Sequence, residues 1–177
     1  MKLELVKIRP AMYEDAYKAQ EIRNHAWQAR YVNLESGVTR ELLANSLAKL
    51  PPSSKDVEVY RRMLDKPENK GKNLVAVLDG KIIGILTYNT IDEDTGDIGV
   101  FVADEFNEKG VGAKLLDNLI ANTTNDLRVT IFAKNPSRSF YKKHGFIEDG
   151  EEFKHYFNDE VYLPVQALRL HRQASIS

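Results

Sequence analysis

The sequence predicts a mixed α/β (α+β) domain built on one sheet, rather than a parallel doubly wound fold. Three observations carry this. Helical patterns crowd the first third of the chain, an Asp-Gly hairpin sits near its middle, and helix and strand alternate afterwards. An Asp-Gly turn between two β-rich runs makes antiparallel neighbours, which an all-parallel sheet does not contain.

The elements follow in order. Leu3–Arg9 alternates and reads as a short strand ending at Pro10. Tyr13–Tyr31 has no breaker and has acids in its first turn, so it reads as a helix. Thr39 opens a second helix that runs through about Leu50, with Leu42, Leu43, Leu47 and Leu50 at helical spacing, before Pro51-Pro52. Ser53 or Ser54 caps a third helix that stops before Pro67. Leu74–Leu78 and Lys81–Tyr88 flank Asp79-Gly80 as a hairpin, and Gly96–Ala103 is a third strand. A helix to about Ala121, a strand Leu127–Ala133, a short helix Ser137–His144 and two last strands follow, the second over about Val161–Leu170. Residues 1–170 are expected to form one domain, and His171 onward a frayed tail.

Composition narrows the function classes. The chain has 177 residues, 42% apolar and 29% charged, with a formal net charge of −1. That balance supplies no overall field toward nucleic acid or anionic lipid. The absence of cysteine removes disulfides, thiolate metal sites and a cysteine nucleophile. No His spacing suggests a metal. No apolar run approaches a membrane span, and charges interrupt the N-terminal apolar run, so a cytoplasmic protein is expected.

The chemistry-bearing segment is Val102-Ala103-Asp104-Glu105-Phe106-Asn107-Glu108-Lys109-Gly110-Val111-Gly112-Ala113. A strand, a glycine-containing loop and a helix N-terminus present unpaired amides and a favourable dipole to phosphate. Two nucleotide readings fail on the letters. Leu115 stands where a dinucleotide fingerprint needs its third glycine, and no Walker lysine follows the glycines. Downstream lies Asn135-Pro136-Ser137-Arg138-Ser139-Phe140-Tyr141-Lys142-Lys143-His144-Gly145-Phe146.

Together the two segments resemble the signatures of the GCN5-related N-acetyltransferases (GNAT), and the resemblance extends over about residues 7–170. It implies a mostly antiparallel central sheet flanked by helices, with a splayed strand pair at the acetyl-CoA site. It also implies that Asn107, Glu108, Lys109, Gly110, Val111, Gly112 and Ala113 cradle the CoA pyrophosphate. Val100 and Val102 would pair their backbone with pantetheine, with the amide near Val102 facing the oxyanion, and Asn135, Arg138 and Phe140 would line the cofactor. Asn107 departs from the usual Gln or Arg, and its shorter side chain leaves the backbone amides unaffected.

In the family an amine attacks acetyl-CoA directly. A lysine-like amine is neutral in only about one molecule in 10³ at pH 7, so a base or water relay helps. Asp97, on the strand face opposite Ile98, Val100 and Val102, is the candidate base, with Glu35 a second. Tyr141 is the candidate proton donor to the leaving thiolate. The Trp27-x-x-x-Tyr31 segment resembles acceptor regions of small-amine acetyltransferases, and Asp92, Glu93, Asp94 and Asp97 form an acidic cluster at the hairpin tip that would suit a polyamine. Acetylation of a peptide or protein amine, or a non-catalytic acyl-CoA-binding module, are the competing readings. Dimers are frequent in the family, though no residue here requires one.

Overall fold

The computed structural model describes residues 1–172. Seven strands form one sheet in the order β1-β2-β3-β4-β5-β7-β6. They are β1 (Lys7–Pro10), β2 (Leu74–Leu78), β3 (Lys81–Thr90), β4 (Thr95–Val102), β5 (Asp126–Phe132), β6 (Ile147–Tyr156) and β7 (Tyr162–Leu170). Every neighbouring pair is antiparallel except β4 and β5. That pair stays in register over only Thr95–Asp126, Gly96–Leu127 and Asp97–Arg128. Beyond Asp97, β4 continues against β3 alone. This is the splayed pair, and it opens the sheet at its middle.

Five helices cover the sheet: α1 (Ala16–Arg30), α2 (Arg40–Ser46), α3 (Ser54–Asp65), α4 (Val111–Asn122) and α5 (Arg138–Lys143). On one face, Val111, Leu115, Leu116 and Leu119 of α4 and Tyr141 of α5 pack with Ile83, Ile98 and Val102. On the other, Ala16, Ala19 and Ile22 of α1 and Val57 and Tyr60 of α3 pack on Val75 and Ile85. A third cluster gathers Val38, Leu43, Phe157 and Leu163, with Trp27, Tyr31 and Phe132 against it. Gly84 lets α4 sit close to β3, because a Cβ there would lie 3.1 Å from Val111 Cγ1.

Local chemistry accounts for the boundaries. Thr39 and Ser53 cap α2 and α3, accepting from the amides of Leu42 and Asp56. Asp79 and Gly80, both at positive φ (49° and 76°), close the predicted hairpin. Two boundaries differ from the sequence reading. Leu3–Leu5 is a 3₁₀ turn rather than strand, and the ammonium of Lys114 binds the carbonyls of Leu3 and Val6. Helix α2 stops at Ser46, short of Leu50: Ala48 N falls back on Leu43 O at 2.8 Å, the acceptor already used by Leu47 N, and side chains of α1 hold the segment that follows. Arg23 donates to Leu47 O at 3.2 Å, Gln28 to Ala48 O at 2.7 Å and Asn24 to Lys49 O at 2.9 Å. At the C-terminal end, Asp126 holds His171 through its ring and Arg172 through its amide. The rest of the expected tail lies outside the described residues. No helix among them is long and apolar enough to cross a membrane.

Candidate active site

A cleft of about 270 Å³ opens where β4 and β5 part. Its lining comes from both faces of the sheet. Arg23, Trp27, Arg30 and Tyr31 of α1 and its C-terminal end enter from one side, and Asn135, Ser137 and Tyr141 from the other. Asp97–Phe101 and Val129–Ile131 form its walls. It therefore sits in the gap between the two strands, with groups from both faces of the sheet around it.

The free edge of β4 is polar by construction. Ala103 N donates to Ile83 O at 2.9 Å, and Ile91 N to Thr95 O at 3.0 Å. Backbone groups alternate sides along a strand, so the odd-numbered residues bond toward β3. Val100 and Val102 thus direct their N–H and C=O groups, and Ile98 its C=O, to the opened edge. Val100 and Val102, predicted to pair with pantetheine, carry the groups such pairing needs.

The loop after β4 continues this edge. Asn107 N closes a turn on Asp104 O, Glu108 has φ 59° and Gly110 φ 85°. The amides of Glu108 through Ala113 have no hydrogen-bond partner among the described residues, and no side chain caps α4. Alternating left-handed residues ahead of a helix start turn successive amides into one concavity, which suits phosphate. Gly110 is required there by its backbone, and a Cβ on it would come within 2.9 Å of Leu3 Cδ2. At Gly112 a Cβ would make only ordinary contacts with Val100 and Phe140. The side chains of the loop turn elsewhere. Asn107 pairs with Arg30 and Asp104, and Lys109 donates to Glu105 O at 2.7 Å.

Tyr141 is 4% exposed, wedged edge-on against Phe140 and Phe146. Burial pushes its phenol well above the usual value, aided by Tyr31 and opposed by the Val100 amide. The hydroxyl therefore keeps its proton throughout the physiological range. Asn135 is buried, with Oδ1 accepting from Ser137 N at 2.8 Å and its amide acting on the Tyr31 phenol, though Nδ2 makes no close hydrogen bond among the described residues. Asp97 faces the cleft, and burial raises its carboxyl while Arg128, bonded at 3.0 Å, pulls it back.

Several residues singled out in the sequence stand outside this arrangement. The guanidinium of Arg138 binds Gln166 and Glu148 on β7 and β6. Glu35 is exposed in a 3₁₀ turn and does not line the cleft. Asp92, Glu93 and Asp94 form the β3–β4 tip, away from the lining. No three His, Cys, Asp or Glu among the described residues gather as a metal-binding group. Sequence reasoning passed over Arg23, Arg30 and Arg128. The first two were visible as a stripe with Trp27 at i, i+4 and i+7, one face of a helix.

Comparison with known proteins identifies the family and the fold. The sequence model of the acetyltransferase (GNAT) domain matches residues 35–157, more than half of the chain. The chain belongs to the GNAT acetyltransferase family. No curated protein sequence matches this acetyltransferase. Among solved structures, an assigned acetyltransferase from Acinetobacter baylyi superposes with a TM-score of 0.74 at 17% identity, over 98% of this chain and 96% of that one. The yncA protein of Salmonella typhimurium, an assigned acetyltransferase solved with its cofactor acetyl-CoA, gives 0.63 at 21% identity over 97% and 96%. The paia N-acetyltransferase of Thermoplasma acidophilum, solved in complex with coenzyme A, gives 0.67 at 17% identity over 90% and 97%. At these identities the likeness is one of fold.

Proposed function

We propose that this GNAT acetyltransferase uses acetyl-CoA to acetylate a primary amine of a small molecule. The observation that carries the reading is one continuous polar track. The opened edge of Val100–Val102 leads toward the unpaired amides of Glu108–Ala113, with the Tyr141 phenol in the same cleft. The pyrophosphate would rest on those amides and pantetheine along Val100–Val102. Structural relatives solved with acetyl-CoA and with coenzyme A are consistent with this.

The chemistry follows from what the cleft offers. A neutral amine adds to the thioester carbonyl, and negative charge moves to its oxygen. A main-chain N–H at the opened edge, near Val102, would stabilise that oxyanion. As the intermediate collapses, the C–S bond breaks and the thiolate takes the proton of Tyr141. The ammonium formed on the acceptor loses a proton, which Asp97 or water accepts. Net, one amine proton ends on sulfur once Tyr141 is reprotonated. Asp97 has the position for the relay, and Arg128 fixes its orientation. Of the acidic cluster that would suit a polyamine, Asp97 lines the cleft, paired with Arg128, and Asp92, Glu93 and Asp94 do not.

The deciding measurement is release of free thiol from acetyl-CoA with a panel of amines, alongside calorimetric binding of acetyl-CoA. Saturable binding together with turnover is the expected result. Binding without turnover on any amine or N-terminal peptide would instead make the chain an acyl-CoA-binding module.

A further inference from the structure

We infer that the acceptor amine also carries an acidic group, a carboxylate being the simplest, and that Arg23 receives it. This rests on the acetyltransferase reading above and names the class of its acceptor.

Arg23 lines the cleft from α1, with its guanidinium 5.0 Å from the ring centre of Trp27. A guanidinium has five N–H donors. Only Nη1 is used, toward Asn24 Oδ1 at 2.9 Å and Leu47 O at 3.2 Å. Nε and Nη2 donate to nothing among the described residues, and no carboxylate there lies within salt-bridge distance. Asp56, whose charge acts on it, is bonded to the Ser53 hydroxyl at 2.6 Å and lies beyond salt-bridge distance. A cation held in a cleft with its charge unmatched is costly, and an anionic ligand removes that cost.

The surroundings carry the same sign. Of the carboxylates, only Asp97 lines the cleft, and it is already matched by Arg128. His155, 6.1 Å from Trp27 between ring centres, is held toward its neutral form by burial and by Arg23. Its buried Nε2 and the buried Trp27 Nε1 have no partner among the described residues. A polycationic amine would meet two arginines here and no free acid.

Arg23 is also misplaced for the cofactor. Arg30, seven residues on, is the α1 cation that reaches the phosphate loop, through Asn107. Seven residues of helix separate the two by about 10 Å along the axis. Arg30 therefore marks the phosphate end of the cleft and Arg23 the acceptor end.

The test pairs acceptors that differ only in the acid: α-amino acids against their carboxamides, with spermidine as a cationic reference. Rates are compared as kcat/KM per unit of neutral amine. We expect the acids to exceed their amides by about tenfold or more, the effect of one charge-assisted hydrogen bond. Arg23→Gln should abolish that ratio while leaving the KM for acetyl-CoA unchanged, and Arg23→Lys should restore part of it. A purely structural Arg23, holding Leu47 O, would lower both members of each pair equally and leave the ratio intact. Equal rates for acid and amide, or fastest turnover of spermidine, would overturn the inference while leaving the acetyltransferase reading in place. No thiol release from any acceptor would sink both.

Discussion

On the α4 side of the cleft, the groups facing inward are main-chain amides. On the α1 side they are long side chains: Arg23, Trp27, Arg30 and Tyr31. The first half is fixed by a local stretch of chain, from Val100 to Ala113. The second depends on a helix near the N-terminus meeting Phe132, His155 and Phe157 from the far end of the chain. A site made of backbone tolerates most side-chain changes but few changes of conformation. A site made of side chains has the reverse sensitivity, so the cofactor half can stay constant while the acceptor half varies.

The largest effect should come where the halves meet. Tyr141→Phe removes the proton donor and should lower kcat by about 10²-fold, with the Kd for acetyl-CoA unchanged by calorimetry. Undiminished kcat would take the donor role from Tyr141. Next is the main-chain half. Gly110→Val forces a β-branched residue to φ 85° beside Leu3, costing about 2 kcal/mol, which should weaken acetyl-CoA binding about 30-fold if the loop relaxes away. Gly112→Ala, with only ordinary contacts at its Cβ, should change that Kd by less than about threefold.

A pH profile probes Asp97. Its carboxyl is raised by burial, so it accepts a proton at a higher pH than an ordinary carboxylate would. If it relays the amine proton, kcat/KM falls as pH drops through that raised value, and Asp97→Asn removes the fall. The same profile should show no alkaline loss from Tyr141, whose raised value keeps the phenol protonated. The smallest effect belongs to Asn107→Ala. If the amides do the holding, acetyl-CoA affinity should move less than about threefold, and a tenfold loss would give the side chain a role the backbone does not fill.

The same contrast explains what could be read from the letters. The Asp79-Gly80 turn, the caps at Thr39 and Ser53, and the glycine loop are local, and each appears where its residues predicted. Periodicity located the strands because burial alternates along them, as in β5. What escaped was non-local. The segment after α2, which the leucine spacing extended as helix to Leu50, is instead held by Arg23, Asn24 and Gln28 from another helix. Arg138 lies in a segment that resembles a cofactor motif, but Glu148 and Gln166, ten and more residues away, claim its charge. Arg23 belongs to no motif, and what singles it out is that no carboxylate among the described residues pairs with it.

The early end of the β4–β5 ladder has a consequence for hydrogen exchange. A strand edge with free amides usually lies at the rim of a sheet, where other chains can pair with it. Here it lies in the interior of a seven-stranded sheet, between helices packed on its two faces. The amides of Val100 and Val102 should exchange faster than those of Gly99 and Phe101 on the same strand. An extended pantetheine chain would slow them by taking the place of the missing ladder, and binding would raise the melting temperature as it did so. The cosubstrate would then complete the sheet, and the protein would be tightest while it holds the acetyl group.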